Sequence, residues 1–85
     1  MRIEYIEWFD HNTNIGWHRI GECACPKIAK TLGLVIEENK NCIVVSNTRV
    51  DDDYADPLTI LKCCVVKRIK ANSKNLESLI CDFEG

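Results

Sequence analysis

The sequence predicts a mostly β fold: a small five-stranded barrel with one short inserted helix and a C-terminal helix. Three observations point there. Residues 2–10, RIEYIEWFD, are rich in β-branched and aromatic side chains. Residues 34–48 read as two apolar runs around the polar turn Glu38-Asn39-Lys40-Asn41. Two more short apolar runs, 58–61 and 65–71, follow a polar break. The 85 residues make one domain, with the barrel over 1–71 and the helix over 72–85.

The first strand places Ile3, Tyr5, Glu7 and Phe9 on one face and Glu4, Ile6, Trp8 and Asp10 on the other. Both faces are partly apolar, as expected of a strand held by a core on one side and an interface or ligand on the other. His11-Asn12-Thr13-Asn14 is turn chemistry, and Gly16 frees the backbone ahead of Trp17. Residues 26–33, PKIAKTLG, read as a short helix. Pro26 suits its first position and Gly33 the position past its end, while Ile28 and Leu32, four apart, share a face. Such a helix plugs the barrel or supports a loop.

The hairpin over 34–48 has a four-residue loop, a common hairpin length. RVDDDYADP, 49–57, is expected to be a loop, because Asp and Pro break strands. LTIL resumes a strand at 58–61, Lys62-Cys63-Cys64 makes a tight turn, and VVKRIKA is the last strand. In that strand Val66 and Arg68 are expected opposite Val65, Lys67 and Ile69. Leu76, Leu79, Ile80 and Phe83 then repeat at helical spacing within 72–83. Asn72 or Ser73 is the expected cap. The apolar stripe is expected to pack on the chain's own barrel.

Composition narrows the function. The apolar fraction is 46% and the charged fraction 28%, which is globular. A formal charge of −2 argues against a general polyanion binder. The charge is uneven, with Asp51, Asp52, Asp53 and Asp56 together and Lys62, Lys67, Arg68, Lys70 and Lys74 after them. The opening MRIEYIEWFD has acidic residues where a signal peptide would be apolar. No apolar run approaches the ~20 residues of a membrane span. The expectation is a cytoplasmic protein that does not engage a membrane.

Six cysteines, Cys23, Cys25, Cys42, Cys63, Cys64 and Cys81, are then expected to be reduced. Most are read as small buried hydrophobes. Cys23-Ala24-Cys25 with His11 and His18 would supply zinc-type donors, but the C-x-C spacing is not that of a zinc knuckle and no second pair follows. No metal and no cofactor is expected. A nucleophilic Cys23 beside His18 has nothing to complete a catalytic set, and the sequence carries no phosphate-binding loop, dinucleotide fingerprint or hydrolase elbow. Asp51-Asp52-Asp53 lacks the glycine and distal glutamate of a calcium loop. The chain is therefore read as a binding protein, not an enzyme.

The remaining candidates are aromatic and cationic. Trp8, Trp17, Tyr5 and Tyr54 offer faces on which a base would stack. Arg49, Lys67, Arg68 and Lys70 offer donors for phosphate, arginine through its planar fork. Against this stands the plainer reading, in which the tryptophans are core and the cations a solvated face.

With the elements placed, a pattern emerges: Ile6 to Asp10 with its Trp-x-Asp, then Gly16-Trp17, Gly33 to Glu37, and Leu58 to Ile69. Over residues 3–70 this resembles small uncharacterised proteins of bacteriophages and mobile elements, which look like Sm-like or Src-homology-three-like β-barrels. The resemblance transfers no catalytic residue. Exposed barrel edges and the apolar helix predict a homo-oligomer, and the aromatic and cationic candidates a small anionic nucleotide as ligand. The resemblance implies that such a protein sequesters a host immune signal, without catalysis, in the host cytoplasm. The alternatives are an Sm-like RNA-binding or transcription-regulating module, and a structural or protein-interaction subunit acting through the terminal helix.

Overall fold

The computed structural model describes residues 2–10 and 27–85. The strands are β1 (Arg2–Asp10), β2 (Lys27–Glu38), β3 (Cys42–Ser46), β4 (Thr48–Val50), β5 (Asp53–Ala55), β6 (Leu58–Leu61) and β7 (Val65–Lys70). A 3-10 turn, Lys62–Cys64, joins β6 to β7, and α1 (Leu76–Glu84) ends the chain. Five strands form one antiparallel sheet in the order β6-β3-β2-β1-β7, while β4 and β5 pair separately.

The sheet curls because of its connections. β6 and β7 lie at opposite edges, yet only three residues separate them. A three-residue 3-10 turn advances about 6 Å, so the edges must approach each other. Two bulges supply the bend. One skips Ile36 of β2 against β3, and the other skips Val66 of β7 against β1. The expected closed barrel is not formed: among the described residues β6 and β7 do not pair, and the sheet stays open.

The bulges also decide which side chains face inward. In an unbroken strand Val35 and Glu38 would lie on opposite faces, because side chains alternate. The extra residue at Ile36 puts both on the inner face, since their partners Val45 and Ile43 are two apart. In the same way Val65 shares the inner face with Arg68, and Val66 is left exposed. The expected pairing of Val66 with Arg68 is therefore corrected, because regular alternation cannot foresee a bulge. The inner face packs Ile6, Val35, Ile43, Val45 and Ile60 into the core, with Trp8 and Val65 against it.

The inserted helix expected at 26–33 is overturned. Lys27 to Gly33 are strand, paired residue for residue with Glu4 to Asp10 of β1. A spacing of four is even, so it places Ile28 and Leu32 on one face of a strand as well as of a helix. A helix that short gains too little from its own hydrogen bonds to compete with a nine-residue ladder. Gly33 is not a helix end. A Cβ there would lie 2.6 Å from Val45 Cγ1, so glycine lets β3 approach. Pro26 lies outside the described residues.

The expected loop at 49–57 contains the β4–β5 hairpin. Its turn places Asp51 at φ 53°, and Asp56 beyond it has φ 47°. Aspartate tolerates this left-handed region better than most residues. Ser46, buried at the hairpin's base, has its hydroxyl 2.7 Å from the Ala55 carbonyl oxygen and 3.0 Å from that of Thr48. The hairpin over 34–48, the strand at 58–61 and the turn at 62–64 stand as the sequence suggests.

α1 covers part of the outer face. Leu79 is buried, and Lys30 of β2 donates to the Asp82 carbonyl at 2.9 Å. Tyr5 is fully buried on this face and donates to Glu7 Oε2 at 2.6 Å. Burial, then the Glu7 carboxylate, pushes its phenol up to about 12. The helix begins later than expected, at Leu76. Asn72 caps the turn before it, its side chain accepting from the Lys74 and Asn75 N–H groups at 2.8 and 3.0 Å. No helix among the described residues is long and apolar enough to cross a membrane.

Candidate binding site

The polar centre of the molecule is an ion network at one end of the inner face. Glu4 of β1 is only 3% exposed. It accepts from Arg68 NH2 at 2.9 Å, from Arg68 Nε, and from Arg2 Nε at 2.5 Å. Glu38, turned inward by the β2 bulge, accepts from Arg68 NH2 and NH1 at 2.6 and 3.1 Å, and from Arg2 NH2. Lys62, just past β6, reaches Glu38 at 2.8 Å. The carboxylates thus tie β7 to the end of β6 where backbone pairing is missing. Arg68 holds the Glu4 carboxyl below its ordinary range, against the opposing cost of burial. Arg68 and Lys62 do the same to Glu38, and the two carboxylates raise the Arg68 guanidinium. Three cations against two carboxylates leave the cluster with one net positive charge.

Beside this cluster, where β1 begins and β7 ends, lies a pocket of about 320 Å³ lined by Arg2, Ile3, Lys70, Ala71, Asn72 and Leu76. A second, of about 360 Å³, shares Ile3 and Leu76 and continues over Leu34 and Leu32 to Asn47. Together they form a trough at the rim of the sheet: its apolar floor, Ile3 and Leu34, belongs to the outer face, and Arg2 and Lys70, which the register sets on the inner face beside Glu4, line one end. Each is near the small end of the range of ligand pockets. Ile3 is 46% exposed, and Leu76, Ile80 and Phe83 of α1 stay partly open to solvent nearby.

Of the residues singled out in the sequence, Lys70 lines the trough, Tyr5 is fully buried, and the rest of those described lie elsewhere. Trp8 lies on the inner face, where its indole donates to Thr31 Oγ1 at 2.9 Å and its ring packs on the core. Arg68 spends its donors on Glu4 and Glu38. Lys67 is exposed across from Glu7. Arg49 and Tyr54 are partners on the separate β4–β5 hairpin. There Arg49 donates to the Asp51 carbonyl at 2.6 Å and approaches Asp52 at 3.8 Å. Trp17, His11, His18, Cys23 and Cys25 lie outside the described residues.

Sequence reasoning missed the trough because its walls come from β1, β2, β7 and α1. One signal was available: Ile3 and Leu34 are apolar on the face opposite Ile6 and Val35, so both faces of β1 and β2 bury or offer apolar surface. Cys42 is half-buried and Cys64 buried, as expected, but Cys63 and Cys81 are exposed. Among the described residues no group of three His, Cys, Asp or Glu is placed to hold a metal. No protein-family model, no curated protein and no solved structure matches the chain.

Proposed function

We propose that the chain is a non-catalytic binding protein, working as a homo-oligomer, that holds a small anionic nucleotide in the rim trough. One observation carries this reading: an apolar floor of Ile3, Leu34 and Leu76 runs to the rim of the sheet, where Lys70 and Arg2, a member of the net positive ion network, line its end. A base needs an apolar or π surface, and a phosphate needs fixed donors. The curled five-stranded sheet supports the Sm-like or Src-homology-three-like kinship. Its open edges β6 and β7 support self-association, since unpaired edges recruit further strands. Sequestration of a host immune signal by a phage-encoded protein is the purpose that fits binding without turnover.

A protein-interaction subunit is the second reading, favoured by the partly exposed row Leu76, Ile80 and Phe83 on α1. Calorimetry against cyclic nucleotides and NAD-derived signals separates the two. Wild-type protein should bind one of them and return it unchanged. Lys70→Glu should weaken binding about ten- to a hundred-fold, the worth of a charge-assisted contact. Leu76→Asp should weaken it too while preserving the helix, because an acid suits a helix N-terminus. If no nucleotide binds, the reading fails. Retention of RNA with steep salt dependence would favour the Sm-like RNA module instead.

A further inference from the structure

The turn between β6 and β7 places two adjacent thiols side by side. Neighbouring side chains on a strand point to opposite faces, but in the 3-10 turn the Sγ atoms of Cys63 and Cys64 lie 3.9 Å apart. Cys63 is exposed and Cys64 is buried, so a ligand would meet Cys63 first. Cys64 adjoins Val65, the partner of Trp8, and Lys62 before the pair is anchored on Glu38. The turn is therefore held from both ends.

We propose that Cys63 and Cys64 form a two-thiol chelating site for a soft, trivalent, thiophilic centre of the arsenical class. With bonds to sulfur of about 2.3 Å, the length zinc makes to thiolate, the observed separation gives an angle of about 116° at the bound centre. A trivalent centre with a lone pair takes a narrower, pyramidal angle, so the sulfurs must draw slightly together, which the exposed Cys63 side chain can do by a small rotation. Thiolates select soft centres. Among the described residues no third side chain completes a metal set, so the occupant must carry its own remaining substituent.

The protons favour the same class. Burial, and then the neighbouring Cys63, pushes the Cys64 thiol up. A bare divalent cation would have to displace that reluctant proton to solvent. An organoarsenic oxide instead takes both thiol protons onto its oxygen. Two arsenic–sulfur bonds form, the arsenic–oxygen bond breaks, one water leaves, and no electron is transferred. The site is separate from the rim trough, so the nucleotide reading and this one stand or fall independently.

The probe is phenylarsine oxide, added to saturation to the reduced full chain and followed by mass spectrometry. Trypsin releases Cys63–Lys67, a peptide holding both thiols and no other cysteine. This peptide should carry one bridging phenylarsine group, removable by a small dithiol but resistant to excess monothiol. Cys63→Ser, an exposed change, should abolish the bridge while leaving the circular dichroism of the sheet unchanged. A Cys63–Lys67 peptide without the adduct at saturation would overturn the proposal. So would an adduct that monothiol removes as readily as dithiol. The wild-type map decides the question even if the variant fails to fold.

Discussion

The two faces of the sheet use the same alternating pattern and meet different ends. The inner face lines a curl that its own side chains fill: Ile6, Val35, Ile43, Val45 and Ile60 pack together, and the Glu4–Arg68–Glu38 network secures one end. The outer face cannot do this, because a curled sheet turns that side away from itself. It relies on α1, which packs on β2 and buries Leu79 but leaves Ile3, Leu76, Ile80 and Phe83 partly open. A filled, satisfied surface stabilises the fold, whereas an apolar surface left half-covered is the kind that marks interaction sites. Arg68 shows the contrast within one side chain. In sequence it looks like a phosphate donor, but its donors are spent on carboxylates.

Substitutions on the inner face should therefore give the largest losses of stability. Arg68→Ala should cost about 3 kcal/mol, the low end for a broken buried ion pair, because Arg2 still holds Glu4. Urea unfolding measures this, and a loss near zero would make Arg68 a surface residue after all. Gly33→Ala should cost about 1–3 kcal/mol, since the new methyl group must displace Val45. Arg49→Ala, by contrast, should change stability by about 0.5 kcal/mol or less, as at most surface positions. Two arginines of equal promise in the sequence would thus differ several-fold.

The acid limb of stability sharpens the same comparison. Glu4 has its carboxyl lowered by Arg68, so its contribution is fully present above the ordinary glutamate value of about 4.3. That contribution should disappear as pH falls from there through the lowered value. Thermal melts from pH 7 to pH 3 should show the loss in wild type. The slope should flatten in Arg68→Ala, where the largest cause of the lowering is gone.

Much of this fold was legible in the sequence, and the exceptions have physical causes. The strands at 2–10, 58–61 and 65–70 and the hairpin turn at 38–41 followed from apolar runs bounded by polar turns. Lys27 to Gly33 did not, because an even spacing of apolar residues satisfies strand and helix alike and Pro26 and Gly33 imitate helix ends. The bulges at Ile36 and Val66 left no mark in composition, yet they turn Glu38 and Arg68 inward. Pairing of those charges depends on register between strands far apart in sequence. The candidate site was largely illegible for the same reason: Ile3, Leu34 and Leu76 meet Lys70 only through the fold, while Trp8 and Arg68, visible as chemistry, engage the core and two carboxylates.

The central claim is that the outer rim binds and the inner face holds the molecule together. Mapping amide shifts in nitrogen-15 spectra, as the nucleotide identified by calorimetry is titrated in, tests it most directly. The largest changes should fall on Ile3, Leu34, Lys70, Ala71 and Leu76, with Ile6, Ile43 and Ile60 unmoved. Changes centred on Trp8 or on the Arg49–Tyr54 hairpin, with the rim silent, would contradict it.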